Sequence, residues 1–234
     1  MLKDASMPAP VQNHAPVVHD AAHVEWVTAL SPVPYEAALE AMDARAGAIA
    51  DGNAPDCVWL LEHSALYTAG TSAKDEELLD PRGLPVFKTG RGGRYTYHGP
   101  GQRIAYVMVD LSARGRDVRA YVATLETWLI ATLKQLGVEG ERRPGAVGIF
   151  VDGAKIASIG VRVRRWVSLH GVSLNVAPNL EHFSGIVPCG LHETKVTSLA
   201  ALGAETDMAR VDTALHDTFS DAFSGTASDP SRSP

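Results

Sequence analysis

Only two cysteines, Cys57 and Cys189, stand in 234 residues. They are too few and too far apart for a disulfide framework or a cysteine-rich metal site. No run of about 18 apolar residues occurs, so no segment reads as a membrane-spanning helix. The opening MLKDASMPAPVQNHAPVVHD lacks the apolar stretch of a secretory signal. The expectation is therefore a cytoplasmic protein with reduced thiols. No G-x-G-x-x-G is present, and no P-loop lysine follows the glycines of the chain, which excludes the common nucleotide fingerprints. Internal repeats are lacking too.

What remains is the composition of an ordinary globular protein, with 45% hydrophobic and 21% charged residues. The length suits one domain. Unstructured tails are expected at 1–21 and 223–234, with one domain over 22–222. Net charge is −6, which argues against nucleic acid as a partner. The charges are unevenly spread. Residues 82–179 hold 15 Lys/Arg against 6 Asp/Glu, whereas 1–81 hold 3 against 13 and 180–234 hold 3 against 8. Either folding mixes these segments, or the basic middle forms a face for an acidic partner.

Periodicity predicts a helix from Pro34, with Tyr35, Leu39, Met42, Ala46 and Ile49 on one side. The short apolar run 58–61 and the segment 104–111 read as strands. Asp117 can cap a long helix bearing Val118, Tyr121, Val122, Leu125, Leu129, Leu133 and Leu136, which Gly137 ends. Strands follow at 147–151, 155–163 and 167–176, the first two joined by the hairpin signal Asp152-Gly153. A last helix fits Met208 to Phe223 behind Asp207. This order predicts an α+β domain with a mixed, mostly antiparallel sheet packed by helices.

Three segments carry chemistry. RGGRYTYHGPGQ (91–102) packs glycines, arginines and a histidine together; Gly92-Gly93 allow a close backbone approach that can present N–H groups to a ligand. Alternatively it is a tight connection between strands. Lys155 opens a strand after the Asp-Gly turn; such a lysine becomes catalytic only beside a nucleophile or when its pKa falls. Cys189 stands between Pro188 and Gly190, turn residues that can expose a thiol, although a lone cysteine is ordinarily a small core residue. Cys57, beside the apolar run, reads as structural. His170 interrupts a strand, and its default reading is a buried, hydrogen-bonded side chain. His98 and His170 lack a third ligand at recognisable spacing, so no metal is expected. A Cys–His dyad of Cys189 with either histidine stays open on residue types alone.

Taken together, 91–102, GAKIASIGVRVRRWVSLHGVSLNV (153–176) and GIVPCG (185–190) resemble the lipoyl(octanoyl) transferases, with weaker support from WLLEHSALYTAG (59–70). The resemblance implies a domain like those of biotin and lipoate protein ligases. It implies a catalytic pair, Cys189 and Lys155. It implies an acyl pocket lined by Arg91, Gly92, Gly93, Arg94, Tyr95, Thr96, Tyr97 and His98, by Ser158, Ile159 and Gly160, and by Gly171, Val172 and Ser173. The implied donor is octanoyl-acyl carrier protein. The implied acceptors are lipoyl domains of 2-oxoacid dehydrogenases and the glycine cleavage H protein. A monomer without cofactor is expected.

On that reading the Cys189 thiolate, favoured by the Lys155 ammonium, takes the acyl group from a thioester and passes it to an amine. Thioester exchange is nearly balanced and amide formation is downhill, so ATP is not required. Six methylenes at about 0.8 kcal/mol each supply roughly 5 kcal/mol. That prefers eight carbons to four but hardly refuses six or ten, so a closed pocket end would have to exclude longer chains. Arg142, Arg143, Arg162, Arg164 and Arg165 are candidates for docking the acidic carrier. The rival readings are an ATP-dependent lipoate–protein ligase, an amidotransferase between lipoyl proteins, and a non-catalytic acyl-binding or carrier-docking module.

Overall fold

A computed structural model describes residues 24–187 and 195–224. Helix α1 (Tyr35–Ala50) buries Tyr35, Ala38, Met42, Ala46 and Ile49. Pro34 keeps an extended ψ of 135° and so stands just outside the helix rather than in its first turn. Helix α2 (Val118–Gln135) starts as expected: the Asp117 carboxylate accepts from the N–H groups of Arg119 and Ala120. Gly137, at φ 79°, follows its end. Its buried face also includes Thr124, Trp128 and Thr132, while Val118 stays exposed. Helix α3 (Met208–Ser224) packs on α2, where Trp128 Nε1 donates to Leu215 O at 2.8 Å.

The strands form two sheets among the described residues. The larger contains β1 (Glu25–Thr28), β2 (Cys57–Leu61), β6 (Gln102–Met108), β7 (Glu141–Arg143), β8 (Ala146–Val151), β9 (Ala154–Arg164) and β10 (Val167–Asn175). Its order is β1-β2-β6-β10-β9-β8-β7, with β1 parallel to β2 and the other pairings antiparallel. The smaller sheet holds β3 (Leu66–Ala69), β4 (Val86–Lys88) and β5 (Tyr95–His98) in the order β4-β3-β5. The mixed, mostly antiparallel sheet is as expected. The second sheet is not, and its strand β5 lies inside the segment read as a loop.

Alternation along the central strands divides two cores. Ala105, Val107 and Val109 of the β6 region face α2 and α3, with Val172, Leu174 and Val176 beside them. Ile104, Tyr106 and Met108 face α1 instead. Asp152 (φ 49°) and Gly153 (φ 76°) both adopt the positive φ that a tight β8–β9 hairpin requires. The basic middle of the chain does not stay separate. Arg94 pairs with Glu77, Arg103 with Asp212, Arg114 with Asp56, Arg164 with Asp43 and Arg165 with Asp51, so folding brings acidic ends onto basic middle.

Candidate active site between the two sheets

A cavity of about 380 Å³ lies between the α1-facing side of the large sheet and the small sheet. Strand β5 and the turn before it, β9 around Ser158, β10 around Ser173 and the start of α1 supply its walls. Of the expected pocket residues, Arg91, Gly93, Arg94, Tyr95, Thr96, His98, Ser158, Ile159, Gly160, Gly171, Val172 and Ser173 line it. Tyr97 and Gly92 do not. Tyr97 packs instead against Tyr67 and Phe183 in the small-sheet core. Gly92 spends its N–H on Val161 O at 2.9 Å, which fastens the turn to β9 and leaves that amide unavailable to a ligand.

Lys155 enters the cavity from the second residue of β9 and is only 5% exposed. Its Nζ donates to Val147 O at 2.8 Å and lies 5.7 Å from the Phe150 ring centroid. Its main chain is held as well: N–H donates to Lys195 O at 2.8 Å, and C=O accepts from Thr197 N–H at 2.9 Å. The neighbouring strand β8 shifts register against β9 between Ile149 and Phe150, next to Gly148 with φ 122°.

Cys189, the expected partner of Lys155, lies outside the described residues. The described residues flanking 188–194 are both anchored. Val187 N–H donates to Glu77 O at 2.8 Å, and Lys195 O accepts from Lys155. Cys57 is 2% exposed in β2, and burial pushes its thiol up to about 12, so its role is packing, as expected.

Arg91 reaches the cavity but its guanidinium also ties the glycine-rich turn together. Nη2 donates to Thr68 O (2.8 Å), Thr68 Oγ1 (2.6 Å) and Arg94 O (3.0 Å), and Nη1 to Gly92 O (2.9 Å). Gly160 leaves room for this arginine: a Cβ there would stand 3.0 Å from Arg91 Cδ.

A buried chain of hydrogen bonds runs behind the cavity. Asn175 Nδ2 donates to Thr197 O (3.0 Å), and Gln102 Nε2 donates to Asn175 Oδ1 (2.9 Å). Gln102 Oε1 is then the acceptor facing His98 Nδ1 at 2.7 Å, which assigns the proton to Nδ1 and leaves Nε2 an acceptor. Burial first, then the neighbouring His63, Arg91 and His170, push His98 down to about 3. Burial, Arg91, Arg162 and His63 push His170 down to about 3. Both rings are neutral at neutral pH.

Sequence reasoning missed Tyr35, His63, Tyr106, Gly148 and Asn175. His63 Nδ1 lies 2.6 Å from Val33 O, so it carries the proton, and Nε2 accepts from the Tyr106 hydroxyl at 2.8 Å. Strand alternation gave a signal for Tyr106, since it shares a face with Ile104. The lone glycine in an apolar strand was the signal for Gly148.

This fold and cavity define a catalytic domain of the lipoate-ligase type. The chain belongs to the lipoyl protein ligase A/B catalytic domain family, whose sequence profile matches residues 34–220. It is 62% identical to an octanoyltransferase of Parvibaculum lavamentivorans, over 85% of this chain and 92% of that protein. It is 58% identical to an octanoyltransferase of Caulobacter vibrioides, over 87% and 94%. Among solved structures it resembles lipoate-protein ligase A bound with ATP, at TM-score 0.67 and 18% identity over 85% of each chain. It also resembles the Aquifex aeolicus biotin protein ligase in complex with biotin and ATP, at TM-score 0.52 and 10% identity over 86% and 70%. These likenesses bear out the family and fold expected from the three motifs.

Proposed function

We propose that this protein moves an octanoyl group from acyl carrier protein to a lysine of lipoyl domains, through a thioester on Cys189 and without ATP. The observation that carries the reading is the placing of Lys155, buried at the cavity with its ammonium fixed on the Val147 carbonyl. The high identity to octanoyltransferases over most of the chain supports the same reaction. In the first step the Cys189 thiolate attacks the donor carbonyl. The C–S bond to the pantetheine arm breaks, and that sulfur leaves with a proton from Lys155. In the second step the acceptor amine attacks the Cys189 thioester. The amide forms, and the proton lost by the amine returns to the site through Lys155. The protein would work in the cytoplasm, as a monomer.

Intact-mass measurement after incubation with octanoyl-acyl carrier protein tests the scheme. One octanoyl adduct should form on the native chain and none on Cys189→Ala. An adduct that survives on Cys189→Ala refutes the nucleophile, and transfer that depends on ATP and free octanoate refutes the reaction. Lys155→Arg should keep some self-acylation and lose turnover, because the charge remains and the proton relay does not.

A further inference from the structure

A slot that grips an acyl chain by methylenes alone rewards every added carbon, so something must stop the longer ones. The cavity has an open and a closed end. Gly145 and Val147, the latter bonded to Lys155, are exposed, whereas Tyr35 and Tyr106 are buried. Between them Ser173 and Gly171 of β10 and Ser158 and Gly160 of β9 face each other in register and line the floor. Their small side chains leave space over the sheet.

Lys155 stands at the Asn175 end of this floor, since both bond the backbone of Thr197. Tyr106 stands at the Gly171 end, paired with it across β6 and β10. Asn175 and Gly171 are four positions apart, about 13 Å along a strand at about 3.3 Å per residue. An octanoyl chain has seven C–C bonds of about 1.5 Å, which advance roughly 9 Å in a zigzag. The remainder is comparable to the half-width of an aromatic ring.

Tyr106 is also fixed in place. Its hydroxyl donates to His63 Nε2, and His63 is held in turn by Val33 O. The His170 ring meets it edge-on at 5.8 Å. His170 has φ 61°, and its N–H turns out of the sheet ladder to Met42 Sδ at 3.0 Å. That is a left-handed conformation unusual for a residue other than glycine.

We propose that the Tyr106 ring is the end wall of the slot and sets the longest acyl chain that fits, making it a specificity-determining residue. The inference rests on the acyl-transfer reading given above. Two further methylenes would advance roughly 2.5 Å and force the hydroxyl off its buried partner.

The test uses the full chain with hexanoyl-, octanoyl-, decanoyl- and dodecanoyl-pantetheine, reading single-turnover self-acylation by mass. In the native protein the rate should rise by about fourfold per methylene up to eight carbons. It should then fall by roughly tenfold or more at ten, the cost of displacing a buried hydroxyl. Tyr106→Leu should shift that fall to between ten and twelve carbons. Tyr106→Phe keeps the ring but loses the hydroxyl bond to His63, so the fall should stay at ten carbons but become shallower than in the native protein. A native protein that takes eight and ten carbons equally, or a folded Tyr106→Leu with an unshifted cutoff, overturns the wall. Calorimetry with octanoate and decanoate needs no transfer and reads the wall alone: octanoate should bind more tightly, and equal affinities overturn it. Failure of every thioester to acylate the chain, with octanoate still preferred, sinks the transfer reading and spares the wall.

Discussion

A Cβ on Gly148 would stand 2.6 Å from Cε of Lys155 and 3.1 Å from its Nζ. The same Cβ would stand 2.5 Å from Ala157 O. The lysine occupies the place of the missing side chain, and the backbone there adopts φ 122°. The adjoining carbonyl, Val147 O, then receives the ammonium. Gly148 is thus a positioning residue for Lys155 rather than a simple strand residue.

Gly148→Ala should therefore lower kcat by roughly 10²-fold, the scale of a misplacement near 1 Å, with a smaller change in KM. Gly153→Ala is the control. It also stands at positive φ, but nothing lies within 4 Å of its Cβ. It should lower thermal stability and leave kcat nearly intact. Equal kcat losses in the two variants would mean that backbone strain alone is responsible.

Gln102 and Asn175 couple the small-sheet wall to the strand that carries Lys155. Replacing Asn175 by Leu leaves both Gln102 Nε2 and Thr197 O without the partner they have now. Each unsatisfied buried group costs about 1–3 kcal/mol, so urea unfolding should show a loss of about 2–6 kcal/mol. A loss under about 1 kcal/mol would show that water replaces the amide.

Much of this arrangement was legible in the sequence, and the failures have physical causes. The three helices were readable because each has a long apolar face and two have acidic caps. The seven-stranded sheet was largely readable because its central strands are apolar runs. Strands β3, β4 and β5 have only three or four residues each, too short for a period to show. In β5 the glycine-rich approach further disguised a strand as a loop. Most pocket residues came from the resemblance rather than from residue chemistry. Tyr106 and His63 sit in segments whose apolar neighbours marked them as core, and only the tertiary fold brings the two rings together.

Charge segregation along the chain promised a basic face, and folding uses most of it internally. Arg142 bonds Glu126, Thr127 and Ala123 O of α2, and Arg165 pairs with Asp51. Among the described residues no carboxylate pairs with Arg143 or Arg162. Of the five docking candidates, these two have the most charge to offer an acidic carrier. Arg143→Glu with Arg162→Glu should raise KM for the carrier severalfold and flatten its dependence on salt, because exposed charges act through a screened field. Arg142→Glu should act mainly on stability. Steady-state kinetics at several ionic strengths separates the two, and an unchanged salt slope in the double variant removes these arginines from docking.

The buried histidines make stability depend on pH in a defined direction. His98 and His170 are both pushed down to about 3, with burial the largest cause, and His63 is lowered too. In the unfolded chain each titrates near 6.5. Between those values the unfolded state binds protons that the folded state refuses, so stability rises with pH across that window. The contribution is complete above about 6.5 and is lost as the pH falls toward 3. Each such proton tilts stability by about 1.4 kcal/mol per pH unit. The urea midpoint should therefore drop steeply between pH 6.5 and 4. His98→Asn keeps an amide donor toward Gln102 but cannot titrate, and it should flatten the profile by about one proton. An unchanged slope would mean that His98 stays protonated in the folded protein, and the Nδ1-only tautomer that bonds Gln102 would then be wrong.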